Sequence, residues 1–467
     1  MKLSKSAYMS FLDCPREFWL AYHRPDLFAR PLSPVLLSRM KMGYGVQEQA
    51  VALFAQGDFG EFEVEKRIET DRLLAKMDIY AGNSIYEVKG SNSAKKEYAH
   101  DLAFQKIAAE VAGVPVERTY LVHLNREYVR RGRVEPEKLL AITDMTDEVN
   151  DILEQTRANI ETALDFLALA ELDTGIEGYC KSRKLECEFI RHHHPDLPEY
   201  TIFNISRLSE KSISALLASG VIDILDVPAD FKLSAKQRMH VDAAQENRVI
   251  AEGEEIARMI KALAYPHYFL DYETVSHAIP MFDGYRPYQN SVFQFSLHVQ
   301  KSAGEEVKHY EFLAEANGEP VSGLLDILSK YIAGEGGTVI VWNKTFEAGC
   351  NNDMALLFED HTELMTAINE RMFDLRDIFS KDLYIHPQFK GRSSLKKVLP
   401  IMVPGRSYDG MVIDEGMLAS VTWLDMFTGE TPEALWEHNR ANLLEYCKLD
   451  TLAMVEILDV LRKEFCR

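Results

Sequence analysis

The chain has 467 residues, with 52 Lys or Arg against 73 Asp or Glu and a formal net charge of −21. This acidic surplus excludes a nucleic-acid binder held by overall charge, because the phosphate backbone attracts lysine and arginine. Apolar content of 46% and charged content of 27% suit a globular protein with room for two or three domains, and no apolar run approaches a membrane span. The N-terminal Met1-Lys2-Leu3-Ser4-Lys5-Ser6 lacks a long apolar core after its lysines, so the cytoplasm is the expected compartment. Six scattered cysteines do not suggest a disulfide framework.

Taken in order, Ser4 is a cap signal before a short amphipathic helix, and Cys14-Pro15 opens a second, aromatic-rich one. Helical pattern returns from Met40 to Phe54. Strand patterns follow at Phe62–Ile68, Leu73–Tyr80 and, after the turn Ala81-Gly82-Asn83-Ser84, at Ile85–Gly90. A helix over Tyr98–Glu110 and a strand over Arg118–Leu124 complete the run. The two-residue period of a strand puts Glu87 and Lys89 on one side, and Asp78 ends the neighbouring strand. Two carboxylates and a lysine suit phosphodiester hydrolysis: the acids hold a cation that lowers the pKa of water, and the lysine positions that water or stabilises developing charge. An acid-x-lysine tripeptide also occurs on ordinary surface strands, so the surrounding elements carry the reading.

That succession resembles the RecB-type PD-(D/E)XK nucleases, including their CRISPR-associated and AddB-like iron–sulfur branch, over residues 1–198. The resemblance implies metal binding by Asp78 and Glu87, a catalytic Lys89, and Gln105 as the glutamine of the following helix. The tyrosine usual one turn later is replaced by Ala109, and the position of an upstream metal-binding histidine holds Gln47, beside Glu48. The iron–sulfur branch carries a four-cysteine [4Fe–4S] cluster. Cys14 matches its early ligand, Cys180 and Cys187 match two later ones, and the fourth falls at His192-His193-His194, with His193 best by spacing. Three readings stay open: an iron–sulfur cluster with three cysteines and one histidine, a zinc site of the same residues, or a lost cluster.

Residues 199–263 read as a helical connector. Leu208–Leu225 has the pattern helix, glycine turn, helix, either a plain spacer or a loose helix-hairpin-helix module, and helical pattern continues from Ser234 to Leu263. Basic residues gather at Arg126, Arg130, Arg131 and Arg133, and again at Arg392, Lys396 and Lys397. Each run is either a solvated face or a grip on nucleic acid.

Residues 264–467 form the third region. His267-Tyr268-Phe269-Leu270-Asp271-Tyr272-Glu273-Thr274 is a strand whose Asp271 and Glu273 project from one face. Such a pair raises each other's pKa, which a bound Mg²⁺ or Mn²⁺ relieves; alternatively, both acids face water. Strands follow at Val292–Val299 and Val307–Phe312, then a helix over Gly323–Ile332 and a strand over Thr338–Trp342 that leads to Asn343-Lys344-Thr345-Phe346-Glu347. Asp374 is either a further ligand or a helix cap. Gly391–Pro400 places small and basic residues at a helix start, suited to phosphate. Within the last helix, Tyr446 and Asp450 are four apart and share a face. Cys350, Cys447 and Cys466 read as packing residues or inert thiols.

The order D-x-E, N-x-x-F-acid, Y-x-x-x-D resembles the DnaQ-like 3′–5′ exonucleases of the RNase H-like fold, in their tyrosine-bearing DEDDy form. The resemblance implies that Asp271, Glu273, Glu347 and Asp450 hold two metal ions and that Tyr446 positions the attacking water. Glu347 departs from the usual aspartate. The expected architecture is α/β: a PD-(D/E)XK restriction-endonuclease-like core, a helical connector and an RNase H-like exonuclease domain, an arrangement resembling a bacterial family of predicted nucleases. The expected function is metal-dependent hydrolysis of DNA or RNA. The alternative is a nucleic-acid-binding scaffold with one or both sites inactive. No reader of the 2′-hydroxyl is recognisable, so the two nucleic acids are not distinguished.

Overall fold

The Ser4 hydroxyl accepts from the amide of Ala7 at 3.1 Å and starts helix α1 (Lys5–Asp13) directly after strand β1 (Leu3–Ser4). The computed structural model describes residues 2–29, 31–172, 175–176, 190–315, 318–332 and 336–466. The chain divides into two units: Met1–Tyr179 with Ser276–Gln289, and Cys180–Val275 with Asn290–Arg467.

In the first unit, Cys14 caps α2 (Pro15–His23), its sulfur accepting from the Glu17 amide at 3.4 Å, with Pro15 at the first helical position. Helix α3 runs over Pro34–Gln56, with Ser33 as its cap, longer at both ends than its apolar pattern. Strands β2 (Phe62–Glu69), β3 (Leu73–Ala81) and β4 (Ser84–Lys89) pair antiparallel in succession. Gly82 and Asn83 link β3 to β4 with φ of 51° and 56°, the two positive values that a tight hairpin of this twist needs. Helix α4 (Tyr98–Val111) then crosses over to β5 (Arg118–Leu124), which is parallel to β4. Strand β6 (Leu140–Asp144) closes that edge and α5 (Thr146–Leu167) packs on α4. The sheet order is β1-β3-β4-β5-β6, with β2 also on β3.

Ser276–Gln289 is fastened to this unit by backbone as much as by side chains. One guanidinium nitrogen of Arg130 donates to the carbonyls of Pro280 and Met281, both at 2.8 Å, and the Gly132 amide donates to Asp283. Ala278 and Ile279 join the apolar cluster of Val46, Ala50, Phe54 and Leu124. Tyr288, in the left-handed region at φ 60°, donates its hydroxyl to the carbonyl of Gly90.

The second unit begins with helices α6 (Glu210–Ala218) and α7 (Ala235–Gln245), strand β7 (Ile250–Ala251) and helix α8 (Gly253–Lys261). The sequence expectation of two helices around Gly220 is corrected here. After α6 the chain makes only a 3-10 turn at Ile224–Asp226, because Asp223 caps it at once and Val227 precedes Pro228, a position disfavouring helix. The expected helical run from Ser234 to Leu263 is likewise broken by β7, which pairs with β13 (Tyr384–Ile385).

The main sheet contains β8 (His267–Val275), β9 (Ser291–Gln300), β10 (Lys308–Leu313), β11 (Thr338–Val341) and β12 (Met372–Asp374), in the order β10-β9-β8-β11-β12. Strand β9 is antiparallel to both neighbours, whereas β8, β11 and β12 run parallel. Tyr268, Leu270 and Tyr272 alternate into a core shared with α9 (Pro320–Tyr331), α10 (Lys344–Leu357) and α11 (Thr362–Glu370). Helices α12 (Leu395–Met402), α13 (Gly416–Phe427) and α14 (Glu433–Phe465) complete the unit, and α14 packs across β8 and β9. The protein is thus mixed α/β. Among the described residues no helix is long and apolar enough to cross a membrane.

Two acidic clusters as the candidate functional site

The first cluster lies in the first unit. Glu87 is 1% exposed and its Oε1 receives the ammonium groups of Lys5 at 2.6 Å and Lys89 at 2.9 Å. Gln105, from the facing turn of α4, donates to Oε2 at 2.6 Å. Lys89 also bonds Asp101, one turn before Gln105 on α4. Asp78 accepts from the Val88 amide at 2.8 Å, which ties β3 to β4 beside the acid. Burial would raise the Glu87 pKa, but Lys5 and Lys89 overcome it and hold the carboxyl below its ordinary value. Asp78 is pushed up to about 6 by burial and by the charge of Glu87. Burial opposes the charge of Lys89, yet Glu87 and Asp101 together raise its pKa. Asp78, Glu87, Lys89 and Gln105, expected from sequence, stand together; Lys5 and Asp101 were not foreseen. Gln47, on α3, bonds Glu65.

The second cluster lies in the second unit. Asp271 and Glu273 project from the face of β8 opposite Tyr272, and a bulge in the β8–β9 register follows Glu273 at once. Such a bulge re-aims the side chains beside it. Glu347 sits one turn before Asn351 on α10, and Asn351 accepts from the Tyr272 hydroxyl at 3.0 Å, fixing α10 against β8. Helix α14 supplies Tyr446, Cys447 and Asp450, all buried. It is held to β9 by Thr451, whose Oγ1 lies 2.6 Å from Ser296 Oγ and 2.7 Å from His298 Nδ1. Gln294 adds a bond to the Leu443 carbonyl at 2.8 Å.

The electrostatics of this cluster are unbalanced. Burial raises all four carboxyls, and repulsion from neighbouring acids adds to it at three: Asp271 and Glu273 go well above the ordinary range, Glu347 to about 8. Asp450 rises to about 7 through burial, although the Tyr408 hydroxyl and Lys396 pull it down. Lys396 is the cation that eases Glu273 and Asp450, its ammonium 5.5 Å and 5.7 Å from the ring centres of Tyr446 and Tyr408. Oε2 of Glu347, a residue 2% exposed, has no hydrogen-bond partner among the described residues. Ligand atoms of Asp271, Glu273 and Cys447 lie within 4.8 Å of one another. An orphaned buried carboxylate oxygen among repelling acids fits a divalent cation, and oxygen donors suit Mg²⁺ or Mn²⁺.

Residues 268–394 match a domain of unknown function, DUF2779. That span holds Asp271, Glu273 and Glu347 but ends before Lys396, Tyr408, Tyr446 and Asp450. The chain is 28% identical over 233 residues to the uncharacterized protein MG366 homolog of Mycoplasma pneumoniae, covering 46% of this chain and 35% of that one. It is 27% identical over 217 residues to the uncharacterized protein UU173 of Ureaplasma parvum, covering 42% and 31%. The matched part of the chain thus spans about a third of the length of these curated relatives. No solved structure matches the chain.

Asp374 is a cap: its carboxylate accepts from the amides of Lys344 and Arg376, both at 3.0 Å, and so starts α10, whose own Asn343 makes no side-chain cap bond. Arg392 and Lys396 are exposed beside the start of α12, with Lys397 half-buried. In the run from Arg126 to Arg133, Arg126 pairs with Glu127 on the surface, and Arg130 is taken up by the carbonyls it fastens. Cys14 is the cap of α2 and His193 ends a four-residue helix over Ile190–His193; Cys180 and Cys187 lie outside the described residues. Cys350 packs in the core under β8, as expected. Cys447 does not: it faces Asp271. Its i, i+3 spacing from Asp450 was the available signal. Tyr408 had none, since it stands in a non-periodic stretch.

Proposed function

We propose that the chain is a metal-dependent nuclease whose second unit is a DnaQ-like DEDDy exonuclease of RNase H-like fold. The observation that carries this reading is the charge imbalance of the second cluster among the described residues: four clustered carboxyls, three of them buried, with one nearby ammonium and an unpartnered Glu347 oxygen. Asp271, Glu273, Glu347 and Asp450 would hold the cations. Divalent ions bound there supply Lewis-acid polarisation of the phosphate and a lowered pKa for water. The chain's own groups do the rest. Tyr446 orients the attacking water through its hydroxyl, Tyr408 holds Asp450, and exposed Arg392 and Lys396 face the anionic backbone. A mixed five-stranded sheet with its first strand central and helices packed upon it supports this fold.

For the first unit we propose a PD-(D/E)XK core. Asp78 and Glu87 would hold its metal, with Lys89 as the catalytic lysine and Gln105 positioning Glu87; the Oε1 of Gln105, buried and unpartnered among the described residues, supports this. A second reading, a site that grips nucleic acid without cutting it, is favoured by Lys5, which already neutralises Glu87 without a metal. DNA or RNA is the proposed substrate.

The test is degradation of end-labelled single-stranded DNA, duplex DNA and RNA with Mn²⁺, Mg²⁺ or EDTA, using wild type, Lys89→Ala and Asp450→Ala. Metal-dependent shortening from the 3′ end that vanishes in Asp450→Ala is expected. Internal cuts or 5′ trimming lost in Lys89→Ala would assign activity to the first unit. Intact substrate with every metal, alongside a shifted band on a gel, would leave a binding scaffold.

A further inference from the structure

Cys447 comes from the middle of α14 and is fully buried, with its sulfur 3.7 Å from Oδ2 of Asp271. Metal bonds of about 2.3 Å to sulfur and about 2.0–2.2 Å to oxygen place tetrahedral neighbours about 3.5 Å apart. The sulfur, Asp271 and Glu273 present one donor each within 4.8 Å. Outside that 4.8 Å group but with a charge that bears on both Asp271 and Glu273, Glu347 has a carboxylate oxygen that is buried and has no partner among the described residues.

We propose that Cys447 is a metal ligand, its sulfur joining Asp271 and Glu273 around one divalent ion, with Glu347 as the further donor. The site is then mixed sulfur and oxygen rather than all-carboxylate. Magnesium, which demands oxygen ligands in octahedral array, is disfavoured there; zinc, cobalt and cadmium, which accept thiolate, are preferred. Binding replaces the S–H bond by a metal–sulfur bond. The proton leaves to solvent, and neither sulfur nor metal changes oxidation state. This deepens the metal-site reading of the second unit but does not require that the chain cut nucleic acid.

The experiment is a Co²⁺ titration of the full chain followed by near-ultraviolet absorption, where thiolate-to-cobalt charge transfer appears. Wild type is compared with Cys447→Ser and Asp271→Asn, each checked for folding by circular dichroism. The expected result is that both variants lose the same part of the band, and that Cys447→Ser weakens Co²⁺ and Zn²⁺ by at least the ~10–100-fold typical of losing a ligand's supporting partner. Excess Mg²⁺ should leave the wild-type band in place. If Cys447→Ser does not fold, Asp271→Asn decides alone, because Cys447 is the thiol against that carboxylate. A band unchanged in either folded variant, or one that Mg²⁺ removes at equal concentration, overturns the proposal. A cysteine-dependent band without cleavage would retain this site and reject the nuclease. Magnesium-dependent cleavage lost in Asp450→Ala, with no Cys447-dependent band, would do the reverse.

Discussion

Tyr408 donates its phenolic hydrogen to Oδ1 of Asp450, and both side chains are buried. The bond orients one oxygen of the acid and steadies its charged form, as an outer partner does for a metal-binding carboxylate. Tyr408→Phe removes the donor and keeps the ring. The expected outcome is Mg²⁺ or Mn²⁺ affinity weakened by ~10–100-fold, measured by calorimetric titration, with the fold intact by circular dichroism. Unchanged affinity would show that Asp450 does not bind metal through this arrangement.

A second expectation concerns pH. Glu347 and Asp450 have folded-state pKa values near 8 and 7, above their ordinary 4.5 and 3.8. The folded chain therefore holds protons that the unfolded chain has released, so stability falls as pH rises from the ordinary values through the folded ones. Two histidines act oppositely: buried His298 and half-buried His309 are lowered by desolvation to about 3 and about 4, so their contribution is complete above their ordinary 6.5. Between pH 6.5 and 8 the raised acids pull the slope downward. In EDTA the thermal midpoint should fall across that window, less so in Glu347→Gln. Mn²⁺ should flatten the fall. A midpoint that rises with pH in EDTA would contradict the assignment.

In the first unit, Lys5 should matter in a metal-dependent way. Lys5→Met leaves Glu87 with Lys89 and Gln105 only, and losing a hydrogen bond to a buried charge costs about 1.5–3 kcal/mol. Urea unfolding in EDTA should show that loss. With saturating Mg²⁺ the loss should shrink, because a cation would replace the ammonium on Glu87. An equal loss in both conditions would favour the gripping site over the cutting one.

Arg130→Ala should loosen residues 276–289, because the guanidinium holds two of that segment's carbonyls. Hydrogen exchange should rise at Gly284, whose amide donates to the Arg130 carbonyl, and at Arg130, whose amide donates to the Tyr285 carbonyl, before it rises in β4. Exchange unchanged in that segment would mean the apolar contacts of Ala278 and Ile279 suffice.

The parts legible in the sequence were those governed by short periods. Asp271 and Glu273, Glu87 and Lys89, and Tyr446 and Asp450 are set by two- and four-residue spacings within one element, and the same patterns placed β2 to β5 and α4. What stayed hidden depends on which elements meet. Lys5 reaches Glu87 across eighty-two positions of chain, and no local pattern marks that approach. Asp101 could have been found, since it stands one turn from Gln105. Cys447 was set aside because a buried thiol among apolar neighbours looks the same in a core as beside a carboxylate. The stretch after Gly220 failed for a different reason: local capping and a following proline overrode a helix-like apolar pattern.

The departure of the chain at Val275 and its return at Asn290 have a consequence for inheritance. Neither unit is one continuous stretch, since the chain passes between them after Tyr179, Val275 and Gln289. A gene fragment ending at Tyr179 would leave Val46, Ala50 and Phe54 without Ala278 and Ile279. A fragment starting at Cys180 would carry those two apolar residues on a fourteen-residue loop with nothing of its own unit to bury them. Recombination at a single breakpoint therefore cannot pass on either half intact. An exchange that keeps the first unit whole must carry Ser276–Gln289 together with Met1–Tyr179.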